Sequence, residues 1–311
     1  MKISLRSWLV VVPSVLLVGG CAGGGAGGSS TPVPTETAFI YNAISFGGAP
    51  ETLYYATVSD PSHPVALHTL PNANLTFGSA AIDPTGSKIY YNDPAAPKTI
   101  RVVNKDGTGD QVFYTTTHEN VYPHAFNLAG KMLVNESEGG SVIYSQMDVN
   151  TKALTPSPTI GGQVQPSWYQ WKRDGSEFAF FAFDGNTSHF QVWKAVVKTN
   201  KTSVVADDVY GGQFAPDGTV LGPYQKDQGG LARYSDSGVL KAIYPVNRPF
   251  VVFLQVGSTG FLENGDNGPA GDRTIEYYKY DKSAPIRMTP NVASANNVRL
   301  LDAVTYPVTA P

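Results

Sequence analysis

Two of the five histidines in this 311-residue chain stand close together, as His118-Glu119 and His124. Imidazole and carboxylate at short spacing are the groups of a metal centre or of acid–base catalysis. The spacing fits no established zinc motif, and no second cluster supplies a fourth ligand, so the competing reading is a solvated loop. Nucleophilic chemistry has less support. Gly257-Ser258-Thr259-Gly260 departs from the Gly-x-Ser-x-Gly elbow, which also needs a following helix. Asn264-Gly-Asp266-Asn-Gly-Pro-Ala-Gly-Asp272 offers oxygen ligands but lacks the alternation and closing Glu of a calcium loop, and reads as a long hairpin turn. Trp168, Tyr169, Trp171 and Trp193 are the densest aromatic group. Such rings either stack on a sugar or peptide or fill the space between packed sheets. Strand alternation places Trp168 with Gln170 and Tyr169 with Trp171, so both uses are compatible. No motif calls for a cofactor.

The remaining reactive side chain is the only cysteine. Lys2 and Arg6 precede an apolar run, Trp8 to Val18, and Val18-Gly19-Gly20-Cys21 follows. A basic start and a short apolar run make a secretory signal, since the run is too short for a permanent membrane helix. The small-small-Cys ending resembles the lipobox of bacterial lipoproteins. That resemblance implies a signal peptide at 1–20, lipidation of Cys21 and attachment to a membrane; the alternative is an ordinary signal with a chance cysteine. Ala22, following the cysteine, implies the outer membrane facing the periplasm, or the single membrane of a Gram-positive cell. Ala22 to Thr37 is rich in Gly, Ser and Pro, so 21–37 reads as a lipidated residue and a tether of roughly 20–25 Å.

Residues 38–311 must then hold by their core alone, because no thiol remains for a disulfide. Net charge is −3 and only 15% of residues are charged, which gives no basic footprint for nucleic acid. The 17 Tyr and 14 Phe beside 32 Gly and 23 Pro point to short strands and tight turns. Four segments superpose: Ala80 to Gly86 before KIYYN, Ala125 to Gly130 before KMLVN, Trp171 to Gly175 before SEFAFF, and Phe214 to Gly218 before TVLG. A fifth is Gln255 to Gly260 before FLEN. The closing glycines fall at 86, 130, 175, 218 and 260, a period in the range of four-stranded propeller blades. A Pro-Asp-Gly or Asp-Pro-x-Gly turn reverses the chain between two strands, since Asp can bond back to its own backbone and Gly can take positive φ. The first unit (AFIYNAI, TLYYATVS, VALHTL) lacks an anchored strand, and Asn297 to Tyr306 is one strand left over. The expectation is an all-β, six-bladed β-propeller closed by its C-terminal strand.

The anchors resemble the TolB-like propeller repeats of bacterial periplasmic proteins, whose consensus centres on Ser-Pro-Asp-Gly. Pro216-Asp217-Gly218 matches closely, Arg173-Asp174-Gly175 and Asp83-Pro-Thr-Gly86 more loosely, and Asn127-Leu-Ala-Gly130 is degenerate. TolB carries an α/β domain before its propeller where this chain has the tether, so its partners do not carry over. In such rings the loops leading into the anchored strands surround a central channel, where ligands bind. Pro123-His124 and Pro166-Ser167 occupy matching places, which makes Tyr122, His124, Gln165, Ser167, Trp168 and Gln213 the candidate rim. Two functions remain open. One is a non-catalytic envelope scaffold binding a protein or cell-wall component; the alternative is an enzyme or binder of glycans or peptides at the channel mouth. The lack of a convergent catalytic set favours the first.

Overall fold

Alternating apolar residues bounded by Gly, Pro and Asp fold, among the described residues, into 24 strands in a computed structural model. The structure describes residues 34–44, 49–127, 129–156, 164–172, 175–184, 189–207, 213–214, 219–223, 231–235, 237–244, 251–256, 260–266, 273–288 and 297–308. The signal, Cys21 and the tether up to Val33 lie outside them.

The first sheet contains β1 (Thr35–Ile44), β2 (Thr52–Thr57) and β3 (Val65–Thr69). The second is β4 (Ala80–Ile82), β5 (Lys88–Asn92), β6 (Thr99–Asn104) and β7 (Gln111–Thr115). The third is β8 (Asn120–Phe126), β9 (Lys131–Glu138), β10 (Ser141–Asp148) and β11 (Leu154–Pro156). The fourth is β12 (Val164–Trp171), β13 (Glu177–Asp184), β14 (His189–Val196) and β15 (Lys201–Asp207). The fifth is β16 (Gln213–Phe214), β17 (Val220–Pro223), β18 (Leu231–Tyr234) and β19 (Leu240–Tyr244). The sixth is β20 (Val251–Val256), β21 (Gly260–Asp266), β22 (Arg273–Lys279) and β23 (Ile286–Arg287). The last strand, β24 (Asn297–Pro307), returns to the first sheet and lies beside β1, giving the order β24-β1-β2-β3.

The innermost strands touch in the order β24, β4, β8, β12, β16, β20 and back to β24, so the sheets close into a propeller. Closure through the C-terminal strand agrees with the expectation. One boundary moves: the sheet begins at Thr35, because Thr35, Glu36 and Thr37 pair with Pro307, Tyr306 and Thr305. The last three residues of the expected tether thus belong to the domain.

The period of two along each strand supplies one apolar set to each neighbouring sheet. Ile89 and Tyr91 join Ile40, Leu53 and Tyr55 between the first and second sheets. Tyr90, between them in sequence, joins Val121, Met132 and Val134 on the other side. Fully burying such a side chain contributes about 2 kcal/mol.

The anchors work as the sequence implies, and chemistry tolerates their degeneracy. Asp83 Oδ1 accepts the N–H groups of Ser87 (2.7 Å) and Lys88 (3.0 Å), and Gly86 takes φ +70°. In the third sheet Asn127 Oδ1 accepts the Lys131 N–H at 3.0 Å before Gly130 at φ +74°. Gly175 has φ +72°, whereas Gly218 lies outside the described residues. Gly260 is the exception. It is the first residue of β21, and a Cβ there would collide with the Tyr278 carbonyl oxygen, so close approach is what demands glycine.

Strand direction defines two faces. Each innermost strand starts at an upper face, which also carries the loops between sheets and the hairpins joining second to third strands. Each ends at a lower face, with the anchor turns and the hairpins joining third to fourth strands. Lower turns bond to one another, as in Lys105 N to Ser87 O at 3.0 Å. Upper loops do the same, as in Val121 N to Pro97 O at 3.0 Å.

Candidate functional site

The rim begins with backbone placement. Tyr122 and His124 lie on β8, Gln165, Ser167 and Trp168 on β12, and Gln213 on β16, so all six belong to innermost strands. Of these, the structure describes the side chains of Tyr122 and His124 only. His124 corrects an expectation, since it sits within a strand and not in a solvated loop.

Two neighbouring strands carry the same irregularity. On β8, Pro123 pairs with Val134 and Ala125 with Leu133, leaving His124 as one extra residue. On β12, Ser167 pairs with Phe181 and Gln170 with Ala179, so Trp168 and Tyr169 are opposed by Phe180 alone. The strict alternation expected from Trp168 to Trp171 is therefore broken. On β24 the extra residue is Leu301, between partners Ile40–Asp302 and Tyr41–Leu300. Bulges bend a strand and re-aim its side chains, and they concentrate at barrel rims and functional sites.

Two residues at or beside the bulges have unusual protonation equilibria. Burial pushes the His124 imidazole down to about 4, although a hydrogen bond with Asn135 pulls in the opposite direction. It is therefore neutral at ordinary pH. Burial pushes the Asp302 carboxyl up to about 7, against the opposing pull of the Ile82 and Ala303 N–H groups. Asp302 Oδ2 accepts the Ile82 N–H at 2.7 Å, tying the closing strand to β4 of the next sheet.

Around the upper rim the contacts run across three sheets. The Tyr122 ring lies on Gly78, where a Cβ would come within 2.7 Å of it. The Gly78 carbonyl accepts from Arg299 Nη2 on β24 at 2.5 Å. Gly78 and Ser79 donate their N–H groups to Asn92 Oδ1, at 3.0 and 2.9 Å. Arg299 has no local motif and was not legible in the sequence. The asparagines left a faint signal, because AFIYN, KIYYN, KMLVN and FLEN all end on one. Asn42, Asn92 and Asn264 among these tie down backbone near the upper face. Asn264 Oδ1 accepts the Leu300 N–H at 3.1 Å, and its Nδ2 donates to Val298 O at 3.0 Å. Asn42 Nδ2 donates to Glu51 Oε2 at 2.6 Å, which also accepts the Phe77 N–H at 3.2 Å.

Neither metal nor triad chemistry converges in what is described. His118 faces Glu138, with Nδ1 and Oε2 3.3 Å apart. Among the described residues no group of three His, Cys, Asp or Glu side chains is placed to hold a metal ion. A second cluster lies at the seam of the first two sheets. His68 Nδ1 meets Asp110 Oδ2 at 3.1 Å, while Tyr91 Oη and Arg101 Nε each donate to Asp110 Oδ1 at 2.9 Å. These four groups satisfy one another and clamp β3 to the second sheet. Trp193 is filler between the third and fourth sheets: it stacks with Phe180, ring centroids 6.3 Å apart, beside Ala125 and Leu133. Among the described residues no helix is long and apolar enough to cross a membrane.

No protein-family model matches the sequence, and no curated protein matches it. Solved structures do match the fold. TolB from Acinetobacter baumannii superposes with a TM-score of 0.66 at 16% identity, covering 88% of this chain and 69% of that one. A chain of a nidogen–laminin complex gives 0.60 at 10% identity, covering 88% of this chain and all of that one. A puromycin hydrolase gives 0.51 at 12% identity, covering 77% of this chain and 44% of that one. The fold is that of a TolB-like β-propeller.

Proposed function

We propose that the chain is an exported, lipid-anchored propeller of the cell envelope whose upper face binds a protein or cell-wall component without transforming it. The supporting observation is the fixity of the rim. Tyr122, the Gly78 peptide and Arg299 interlock across three sheets, which presents a preformed surface to a partner at little ordering cost. A closed ring displays many loops from one rigid scaffold, which suits recognition. Anchoring through a lipid on Cys21, in the outer membrane and facing the periplasm, would hold that surface near other envelope components.

The test uses the tagged full-length chain in intact cells, with a photo-crosslinking residue in place of Tyr122 or of Asn150 on the opposite face. A Cys21→Ser version serves as the untethered control. The expected result is one discrete envelope protein or glycan captured from Tyr122 and not from Asn150, and lost in the untethered form. Capture of nothing, or the same products from both faces, overturns the reading.

A further inference from the structure

The closing strand grips the inner strand of the second sheet at two points. Arg299 Nη2 donates to the Gly78 carbonyl at 2.5 Å, and Asp302 Oδ2 accepts the Ile82 N–H at 2.7 Å. One short stretch, Gly78 to Ile82, is thus held at the rim by a guanidinium and deeper in by a carboxyl. Strict alternation would put residues 299 and 302 on opposite sides of β24. The extra residue Leu301 restores them to one side, as their β1 partners Asn42 and Ile40, two positions apart, require. The bulge therefore makes the double grip.

The deeper grip has an acid without a counter-ion. Asp302 is buried, and it lies in a seam whose apolar cluster includes Ile40, Ala80 and Ile82. Among the strands packed on β24, β4 and β20 carry no titratable side chain. The others bring Glu36 and Tyr41 on β1, Glu263 on β21, and Glu276, Tyr277, Tyr278 and Lys279 on β22. None of these, nor Arg299, forms an ion pair with Asp302; its carboxyl answers to burial and to the Ile82 and Ala303 N–H groups. Asp110 is the contrast, since it meets both His68 at 3.1 Å and Arg101 at 2.9 Å. An unpaired carboxylate in apolar surroundings is costly, so the neutral acid is the form that fits the closed seam. Burial brings its titration up to about 7. Once charged, the group is relieved by hydration, which requires β24 and β4 to part.

We propose that Asp302 is a protonation-controlled latch, whose ionisation releases β24 from Gly78–Ile82 and withdraws Arg299 from the rim. The upper face is then ordered in acid and loosened in alkali. The effect on a bound partner rests on the upper-face binding proposed above; the latch itself does not. Amide hydrogen exchange of the full-length chain is followed by mass spectrometry from about pH 6 to about pH 8, across the carboxyl's titration. Comparison with Asp302→Asn at each pH cancels intrinsic base catalysis. The peptide covering Gly78 to Ile82 is expected to lose protection several-fold in the wild type relative to the variant. The Lys131 to Asp148 hairpin of the third sheet should keep one ratio throughout. The same pH dependence in both proteins, or a loss shared by both peptides, overturns the latch. If Asp302→Asn does not fold, the ratio of the two wild-type peptides decides: a selective loss at Gly78 to Ile82 supports the latch, and a constant ratio overturns it. Capture by a photo-crosslinking residue in place of Tyr122 is read over the same range and should fall in the wild type alone. A latch that opens while capture holds constant overturns the control of binding, whereas no capture at any pH overturns the upper-face binding and leaves the latch to the exchange data.

Discussion

The two faces of the ring are held by different chemistry. At the upper face the chain ends are gripped by side-chain amides, Asn92 on Gly78 and Ser79, and Asn264 on Val298 and Leu300. At the lower face the grip is in the backbone, with tight turns whose glycines take positive φ and whose Asp or Asn caps the following N–H groups. Amide grips fix the ends of strands while leaving the intervening loops free in sequence. Backbone turns fix a repeated geometry that Asp or Asn, and Gly, Asn or Lys, can each supply. The first arrangement suits a surface that varies with its partner, and the second a surface whose geometry repeats.

The most severe test removes what both faces share. Deleting Val298 to Pro311 takes away the innermost strand of the first sheet, the Asp302 link and the seat of Tyr306 on the Gly86 turn. The cooperative thermal transition is expected to disappear; an unchanged melt would show that the ring does not need its closing strand.

Next in size is the wall between the faces. The folded-state pKa of Asp302 lies above its ordinary value, so protonation favours the folded ring. That contribution is whole below about pH 4 and is lost as pH rises through about 7. It is worth at most roughly 4 kcal/mol. Asp302→Asn keeps an acceptor for the Ile82 N–H and removes the titration. Melting temperature against pH should therefore flatten in the variant, and parallel curves would refute this account.

Two glycines then separate the faces directly. Gly86→Ala on the lower side combines a φ of +70° with collision against the Tyr306 ring, and should cost about 3 kcal/mol by denaturant unfolding. Gly78→Ala on the upper side meets the outer edge of the Tyr122 ring without a positive φ, and should cost about 1 kcal/mol. Equal costs would erase the distinction drawn between the faces.

The fold was legible because its signals are local. KIYYN and TIRVVN coincide with β5 and β6, and the turn at Asn104 to Gly109 is written in its glycines. The same hairpin position elsewhere is filled by Lys152 at φ +60°, Asn200 at +51° and Lys282 at +62°, which composition alone would not single out. The site was far less legible. The bulge at His124 depends on the register of β9, and the environment of Asp302 depends on β4, distant in sequence. Arg299 acquires its place at the rim only when β24 closes the ring. Residue type marked candidates; the partners that give them their chemistry come from other strands, and for Asp302 and Arg299 from beyond their own sheet.

The pairing of β1 with β24 also governs how the molecule comes into being. Thr37 Oγ1 meets Thr305 Oγ1 at 3.0 Å across 268 positions of chain. The first strand made is completed by the last, so loop closure over nearly the whole domain precedes the final ladder, a topology that folds slowly. Until β24 is made and paired, β1 presents an unpaired apolar edge. The ring is thus complete only once residues 297–307 take their place beside β1, and a chain stopped short of residue 297 would keep that edge open to non-native pairing.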